Sequence, residues 1–227
     1  MTIASAATAQ EAVILLHGMA RTDKSMAKMA AALEDEGFVV LNVDYPSRET
    51  NVAPLATRVI PAALADPKLQ DATRIHFVTH SLGGILVRQY LKSNRVERLG
   101  RVVMLGPPNQ GSEVVDKIGD WRTFTAVNGP AGRQLGTGAD SVPINLGPVD
   151  FELGVIAGDR SINWIHSLFM LPGPDDGKVT VTRTKVAGMK DHRVLHATHP
   201  YLMKNRRAIR ETIHFLRHGK FILETRR

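Results

Sequence analysis

The chain has 227 residues, 43% of them hydrophobic and 22% charged, a length and balance that suit one globular domain with a substantial core. With no cysteine, disulfides and thiolate metal sites are excluded, and no apolar run approaches the roughly 18 residues needed to cross a bilayer. The formal net charge of +7 is unevenly placed: between Lys204 and Arg227, eight basic residues face two acidic ones.

Residues 1–10 are rich in small side chains but lack a basic n-region and an apolar h-region. They read as a short, poorly ordered lead to a single domain over residues 11–227, with the cytoplasm as the default compartment. Apolar period then predicts a strand over Ala12–Leu16, a helix from about Lys24 to Glu36, a strand over Phe38–Val43 and a helix from about Pro54 to Ala65. A strand over Ile75–Thr79 leads into a helix over Ile85–Lys92, and Arg101–Leu105 forms a fourth strand. The segment up to Gly154 is dense in glycine and proline, with one helix around Ser112 to Val127, too little chain for a separate cap. Gly154–Ala157 is a fifth strand and Val179–Thr182 a candidate sixth, before a last helix from about Tyr201 to Leu216. Along that helix Met203, Ile209, Ile213 and Leu216 recur at helical spacing, so its basic face is solvated or in weak contact with an anionic membrane. No nucleic-acid-binding motif accompanies the charge, and no nucleic-acid partner is expected.

Strands alternating with helices predict an α/β fold, a mostly parallel sheet covered on both faces, with active residues gathered outside the carboxyl ends of the strands. Ser81 sits at such an end, in Thr79-His80-Ser81-Leu82-Gly83-Gly84. A serine on a sharp strand-to-helix turn exposes its hydroxyl, and small neighbours permit the bend. Gly83 supplies one small residue, while Thr79 stands where glycine is usual. A serine nucleophile needs a base, and the base an orienting carboxylate. Of nine histidines, His199 follows the last strand and opens the final helix; His196 and His192 are its close competitors. For the acid, Asp176 lies in the turn-rich Pro174-Asp175-Asp176-Gly177-Lys178 and Asp159 directly after the fifth strand. Either preserves the order Ser, Asp, His. The oxyanion of an attacked carbonyl requires two N–H donors. Leu82, opening the helix after Ser81, and Met19, in the His17-Gly18-Met19 turn after the first strand, are the candidates, with His17 and Gly18 placed at the substrate.

Taken together, Leu16-His17-Gly18-Met19, Val43-Asp44-Tyr45-Pro46, the Ser81 turn, Gly106-Pro107-Pro108-Asn109-Gln110-Gly111-Ser112, Asp175-Asp176-Gly177-Lys178-Val179 and Thr198-His199-Pro200 resemble the α/β-hydrolase superfamily. The likeness is to compact bacterial lipases and esterases and the GPI-inositol deacylase-like group, and covers about residues 12–216. It implies an α/β-hydrolase fold with minimal or no cap, and a serine carboxylic ester hydrolase acting on short- to medium-chain acyl esters or lipids. It also favours Asp176 over Asp159 as the acid. No cofactor is expected, and no metal, since Asp191 alone supplies a further carboxylate near His199. Two alternatives remain: an acyltransferase using the same acyl-enzyme, and a non-catalytic binding module working through the basic helix. Trp164, Phe169, Met170 and Leu171 either wall the acyl pocket or pack in the core.

Overall fold

The computed structural model describes residues 10–161 and 173–223. Residues 1–9 of the ten-residue lead and the apolar string Trp164, Phe169, Met170 and Leu171 lie outside them. Six strands form one sheet: β1 (Glu11–Leu16), β2 (Val39–Val43), β3 (Arg74–His80), β4 (Leu99–Leu105), β5 (Leu153–Gly158) and β6 (Asp191–Leu195). The order is β2-β1-β3-β4-β5-β6, and every pairing is parallel. The chain moves outward from β1 to β2 and then returns to the other side of β1 as β3. A crevice therefore opens between the carboxyl ends of β1 and β3, where helices leave toward opposite faces.

Helices α1 (Ala27–Asp35), α2 (Val52–Leu64), α3 (Leu82–Leu91), α4 (Glu113–Ile118), α5 (Arg122–Arg133), α6 (Val142–Asn145) and α7 (Arg206–His218) complete the described elements. Side-chain alternation along the strands divides the core into two layers. Ile14, Leu16, Phe77, Met104 and Val155 meet Leu55 and Ile60 of α2 and Ile85 and Leu86 of α3. Val13, Leu15, Val78, Val103 and Ile156 meet Met29 and Leu33 of α1 and Phe215 and Leu216 of α7. Each such fully buried side chain contributes about 1.5–3 kcal/mol of transfer free energy, which is why a period of two in the strands selects the layers so firmly.

The candidate sixth strand at Val179–Thr182 is corrected by the structure. Val179 and Thr180 are buried because they fold back onto the acidic turn: Asp176 N–H donates to Val179 O, and Val181 N–H to Pro174 O. The true sixth strand, Asp191–Leu195, lies at the sheet edge with only Leu195 fully covered, so its apolar signal is weak. The helix expected from Ser112 to Val127 is two helices, α4 and α5, and α5 itself breaks at Gly129, whose φ is +66°, ahead of Pro130. The final helix is likewise divided. A 3-10 turn over His199–Lys204 ends at Asn205, whose side chain accepts from Arg207 and Ala208 N–H and so starts α7 afresh. Part of the basic surface of α7 is spoken for: Arg217 lies 4.1 Å over the Phe38 ring and 3.7 Å from Glu11.

Candidate active site

Ser81 links β3 to α3 with φ 51° and ψ −117°, a conformation that costs a non-glycine residue about 1–3 kcal/mol and that a functional turn retains. The turn is held from both sides. Ser81 N–H donates to Leu105 O at 2.9 Å, and Gly84 N–H to Ser81 O at 3.1 Å. Gly83 is demanded by packing, since a side-chain carbon there would lie 2.7 Å from Leu16 O. Gly84 explains how Thr79 is tolerated two residues before the serine: a carbon on residue 84 would sit 3.2 Å from Thr79 Oγ1 and 3.0 Å from Met104 Sδ. The space usually left by a glycine before the serine is here left by the second glycine after it.

His199 and Asp176 are brought together as a buried pair. His199 Nδ1–H donates to Asp176 Oδ2 at 2.7 Å, the tautomer that puts the ring lone pair on Nε2. The other carboxylate oxygen, Oδ1, accepts from Lys178 N–H at 3.0 Å and Val179 N–H at 2.9 Å, and His199 N–H donates to Asp176 O at 2.8 Å. The turn carrying the acid is anchored to α4, because Ser112 Oγ donates to Lys178 O at 2.7 Å. Gly106, at the end of β4, presses on the pair with φ +55°. A side-chain carbon there would come within 3.0 Å of both Asp176 Oδ2 and His199 Nδ1. Neither the strand pattern nor the motif had singled out Gly106 alone; its place directly after the buried Met104-Leu105 pair is the only sequence signal.

The competing candidates are elsewhere. Asp159 Oδ1 meets His196 Nδ1 at 2.9 Å, but that histidine side chain is 74% exposed, so the two form a surface pair. His192 lies in β6 with Nε2 on Thr184 Oγ1 at 2.9 Å, its pKa pulled down to about 4 by burial and by Lys185. His80 is fully enclosed next to His199, with ring centroids 4.7 Å apart, and its Nε2–H donates to His199 O at 3.1 Å. Burial first, then the neighbouring His199 and Arg21 charges, hold its pKa well below the usual value, so His80 stays neutral.

His17 and Gly18, expected at the substrate, are buried behind the crevice and line no part of it. His17 stacks on Tyr45 at 4.1 Å between centroids, and its Nδ1–H donates to Gly18 O at 2.8 Å while Nε2 accepts from Tyr45 N–H at 3.3 Å. Asp44 is 3.3 Å from Nε2, but burial outweighs that attraction and lowers the His17 pKa, so the ring is neutral and the contact is no ion pair. Tyr45 Oη–H donates to His17 O at 2.6 Å, and Ala20 N–H, on a residue with φ +53°, to Ser47 Oγ at 3.1 Å. The loop after β1 is thereby gripped from the loop after β2. Among the described residues, Met19 N–H engages no acceptor, and Leu82 N–H, at the first position of α3, has none within the helix.

A cleft of ≈ 430 Å³ opens over Ser81 and His199. Met19 lies at one side, and Val114, Val115, Phe124, Val127 and Leu135 from the α4–α5 segment form an apolar wall. The Gly106–Ser112 loop beneath it is pinned by Arg88 of α3. Arg88 donates to Asn109 O at 2.8 Å, Pro143 O at 3.3 Å and Gly147 O at 2.6 Å, and burial lowers its pKa to about 10, still protonated at neutral pH. Among the described residues, no three acids, histidines or cysteines converge as a metal site.

Solved structures share this arrangement of sheet and helices. The lipase BlEst2 of Bacillus licheniformis in its propeptide form matches with a TM-score of 0.74 at 17% identity, covering 100% of this chain and 54% of that one. The chain thus spans about half of the propeptide form, whereas the mature form matches with a TM-score of 0.68 at 18% identity over 98% of this chain and 96% of that one. The metagenomic carboxyl esterase MGS0156 gives a TM-score of 0.68 at 18% identity, over 86% of this chain and 66% of that one. At these identities the likeness is one of fold. Curated proteins yield no match. The sequence model of the alpha/beta hydrolase family matches residues 13–214, nearly all of the sheet and its helices, and the chain belongs to that family.

Proposed function

We propose that this hydrolase cleaves short- to medium-chain carboxylic esters through an acyl-enzyme on Ser81. The observation that supports the reading best is the buried Asp176–His199 hydrogen bond of 2.7 Å beside a strained serine in an apolar cleft. In this reaction His199 Nε2 takes the Ser81 Oγ proton as the oxygen attacks the ester carbonyl. Asp176 keeps the proton on Nδ1 and stabilises the imidazolium. Met19 and Leu82 N–H groups receive the oxyanion, each worth about 3 kcal/mol of barrier. When the tetrahedral intermediate collapses, the alcohol leaves with the proton from Nε2. Water then attacks the acyl-enzyme with His199 again as base, releasing the acid and free Ser81. His17 and Gly18 act by shaping the Met19 loop and do not touch the substrate. The cleft of ≈ 430 Å³ suits a short or medium acyl chain, and the similar solved structures, a lipase and a carboxyl esterase, accord with this substrate class.

The test is hydrolysis of p-nitrophenyl esters of increasing chain length by the native chain and by Ser81→Ala. The expected result is a maximum at short or medium chains and a fall in kcat by several orders of magnitude in the variant. Near-normal turnover by Ser81→Ala, or failure of an organophosphate to label Ser81, would refute the proposal.

A further inference from the structure

A second and larger void adjoins the cleft. It is an open groove of ≈ 1120 Å³ bordered by Arg21, Lys24, Arg48 and Lys204. Ala20 and Arg21 border both spaces, directly after Met19. The two compartments therefore meet at the loop proposed to bind the ester carbonyl. Their chemistry differs: valines, Phe124 and Leu135 give the cleft an apolar wall, with Lys178 and Arg21 at its border, while the groove brings four cations together among mostly small and polar residues.

The balance of charge in the groove is positive. All four cations are exposed, and none is paired with a carboxylate among the described residues. The bordering acids are Asp44 and Glu49, and Glu49 is already 3.5 Å from Arg58. The cations come from three separate segments: Arg21 and Lys24 after β1, Arg48 after β2, and Lys204 at the end of the 3-10 turn that starts with His199. Four cations converging from three segments onto one groove, with a single unpaired acid, form a receptor for an anion.

Building on the ester hydrolase reading, we infer that the substrate is an acyl ester whose alcohol carries a phosphate, with the acyl chain in the apolar cleft and the phosphate in the groove. Ser81 breaks the acyl–oxygen bond, the phosphorylated alcohol leaves with the proton from His199, and water releases the acyl group as the acid. The phosphorus–oxygen bonds are untouched. The phosphate belongs either to a free phosphorylated ester or to a phospholipid headgroup.

The experiment compares kcat/KM for 1-butyrylglycerol 3-phosphate and 1-butyrylglycerol, with p-nitrophenyl butyrate as the reference ester, in the native chain and in Lys24→Gln/Arg48→Gln. Both substituted side chains are exposed, and the ratio of the two glycerol esters is taken within each protein, so a general loss of fold cancels. The expected preference for the phosphate ester is about tenfold at low ionic strength, falling to about twofold in the variant and with added salt. A second arm measures acyl release from phosphatidylcholine vesicles with and without phosphatidylglycerol. Release that requires the anionic lipid assigns the phosphate to a membrane headgroup; preference confined to the soluble ester assigns it to a free phosphate. Turnover of p-nitrophenyl butyrate with an equal rate on the two glycerol esters would overturn this inference alone. No turnover of any ester would overturn the hydrolase reading and this inference with it.

Discussion

Asp176→Asn is the substitution whose effect the geometry constrains most closely. Oδ1 of the native carboxylate accepts from two backbone N–H groups at 3.0 and 2.9 Å, while Oδ2 accepts from His199 Nδ1–H at 2.7 Å. An asparagine in the same place has one oxygen and one NH₂. Turning the NH₂ toward Lys178 and Val179 would set donor against donor and leave two buried N–H groups unsatisfied, at about 1–3 kcal/mol each. The oxygen therefore keeps the Oδ1 position, and the NH₂ faces His199. Facing a donor, Nδ1 becomes an acceptor and the ring proton moves to Nε2, the atom proposed to take the Ser81 proton. The expected fall in kcat is roughly 10⁴-fold, about 5.4 kcal/mol, with the fold intact. Asp159→Asn alters only a surface pair with a largely exposed histidine and is expected to leave kcat within about twofold. Steady-state hydrolysis of p-nitrophenyl butyrate, with urea melts to check folding, decides the matter. A kcat for Asp176→Asn within tenfold of native, or a larger loss from Asp159→Asn, would refute the tautomer argument.

Gly106→Ala places a carbon 3.0 Å from both partners of the Asp176–His199 hydrogen bond and forces alanine to φ +55°. A stability loss of about 1–2 kcal/mol with a kcat loss of at least tenfold is expected; native kcat in a folded variant would show that the pair yields freely. Gly84→Ala should cost about 1 kcal/mol next to Thr79 and less in the Thr79→Ala background, because Thr79 Oγ1 is buried with no hydrogen-bond partner among the described residues and its removal frees the space. Additive effects in a double-mutant cycle would contradict the compensation between the two positions. His17, His76, His80 and His192 all have lowered pKa values, with burial the largest cause, while in the unfolded chain they titrate near 6.5. Below that pH the unfolded state binds the extra protons, so the stability present above pH 6.5 is lost as the pH falls toward 4, the folded value for His192. Each group contributes at most about 1.4 kcal/mol per pH unit, and urea midpoints unchanged between pH 7.5 and 5 would refute the account.

Local chemistry explains how much of the molecule could be read from the chain. The runs that became β1, β3, β4 and β5 are apolar on both faces, because helices cover both sides of a parallel sheet; such a run is hard to mistake. The Ser81 turn was equally legible, since a buried strand ending in serine and two glycines has few other uses. Edge strand β6 was not, because one exposed flank lets Asp191, His192 and Arg193 stand where core strands carry valine or leucine. The residues taken for that strand, Val179–Thr182, are β-branched for another reason: they support the turn that holds Asp176.

Sequence alone determined the fold class and narrowed the site to one candidate serine and a short set of candidate acids and bases, because period, turn chemistry and chain order are local properties. Which acid meets which histidine was decided only by tertiary structure. Chain order leaves Asp176 and Asp159 both open and only the family resemblance favours the first, whereas in the folded chain the Val179 and Lys178 N–H groups and the close approach of Gly106 direct Asp176 to His199, and Asp159 meets His196 at the surface. The same holds for His17, which sits in a motif that suggests contact with substrate but is turned inward onto Tyr45. The gathering of Arg21, Lys24, Arg48 and Lys204 around one groove is likewise beyond the sequence, for it depends on three loops separated by whole strands and helices converging at the carboxyl edge of the sheet.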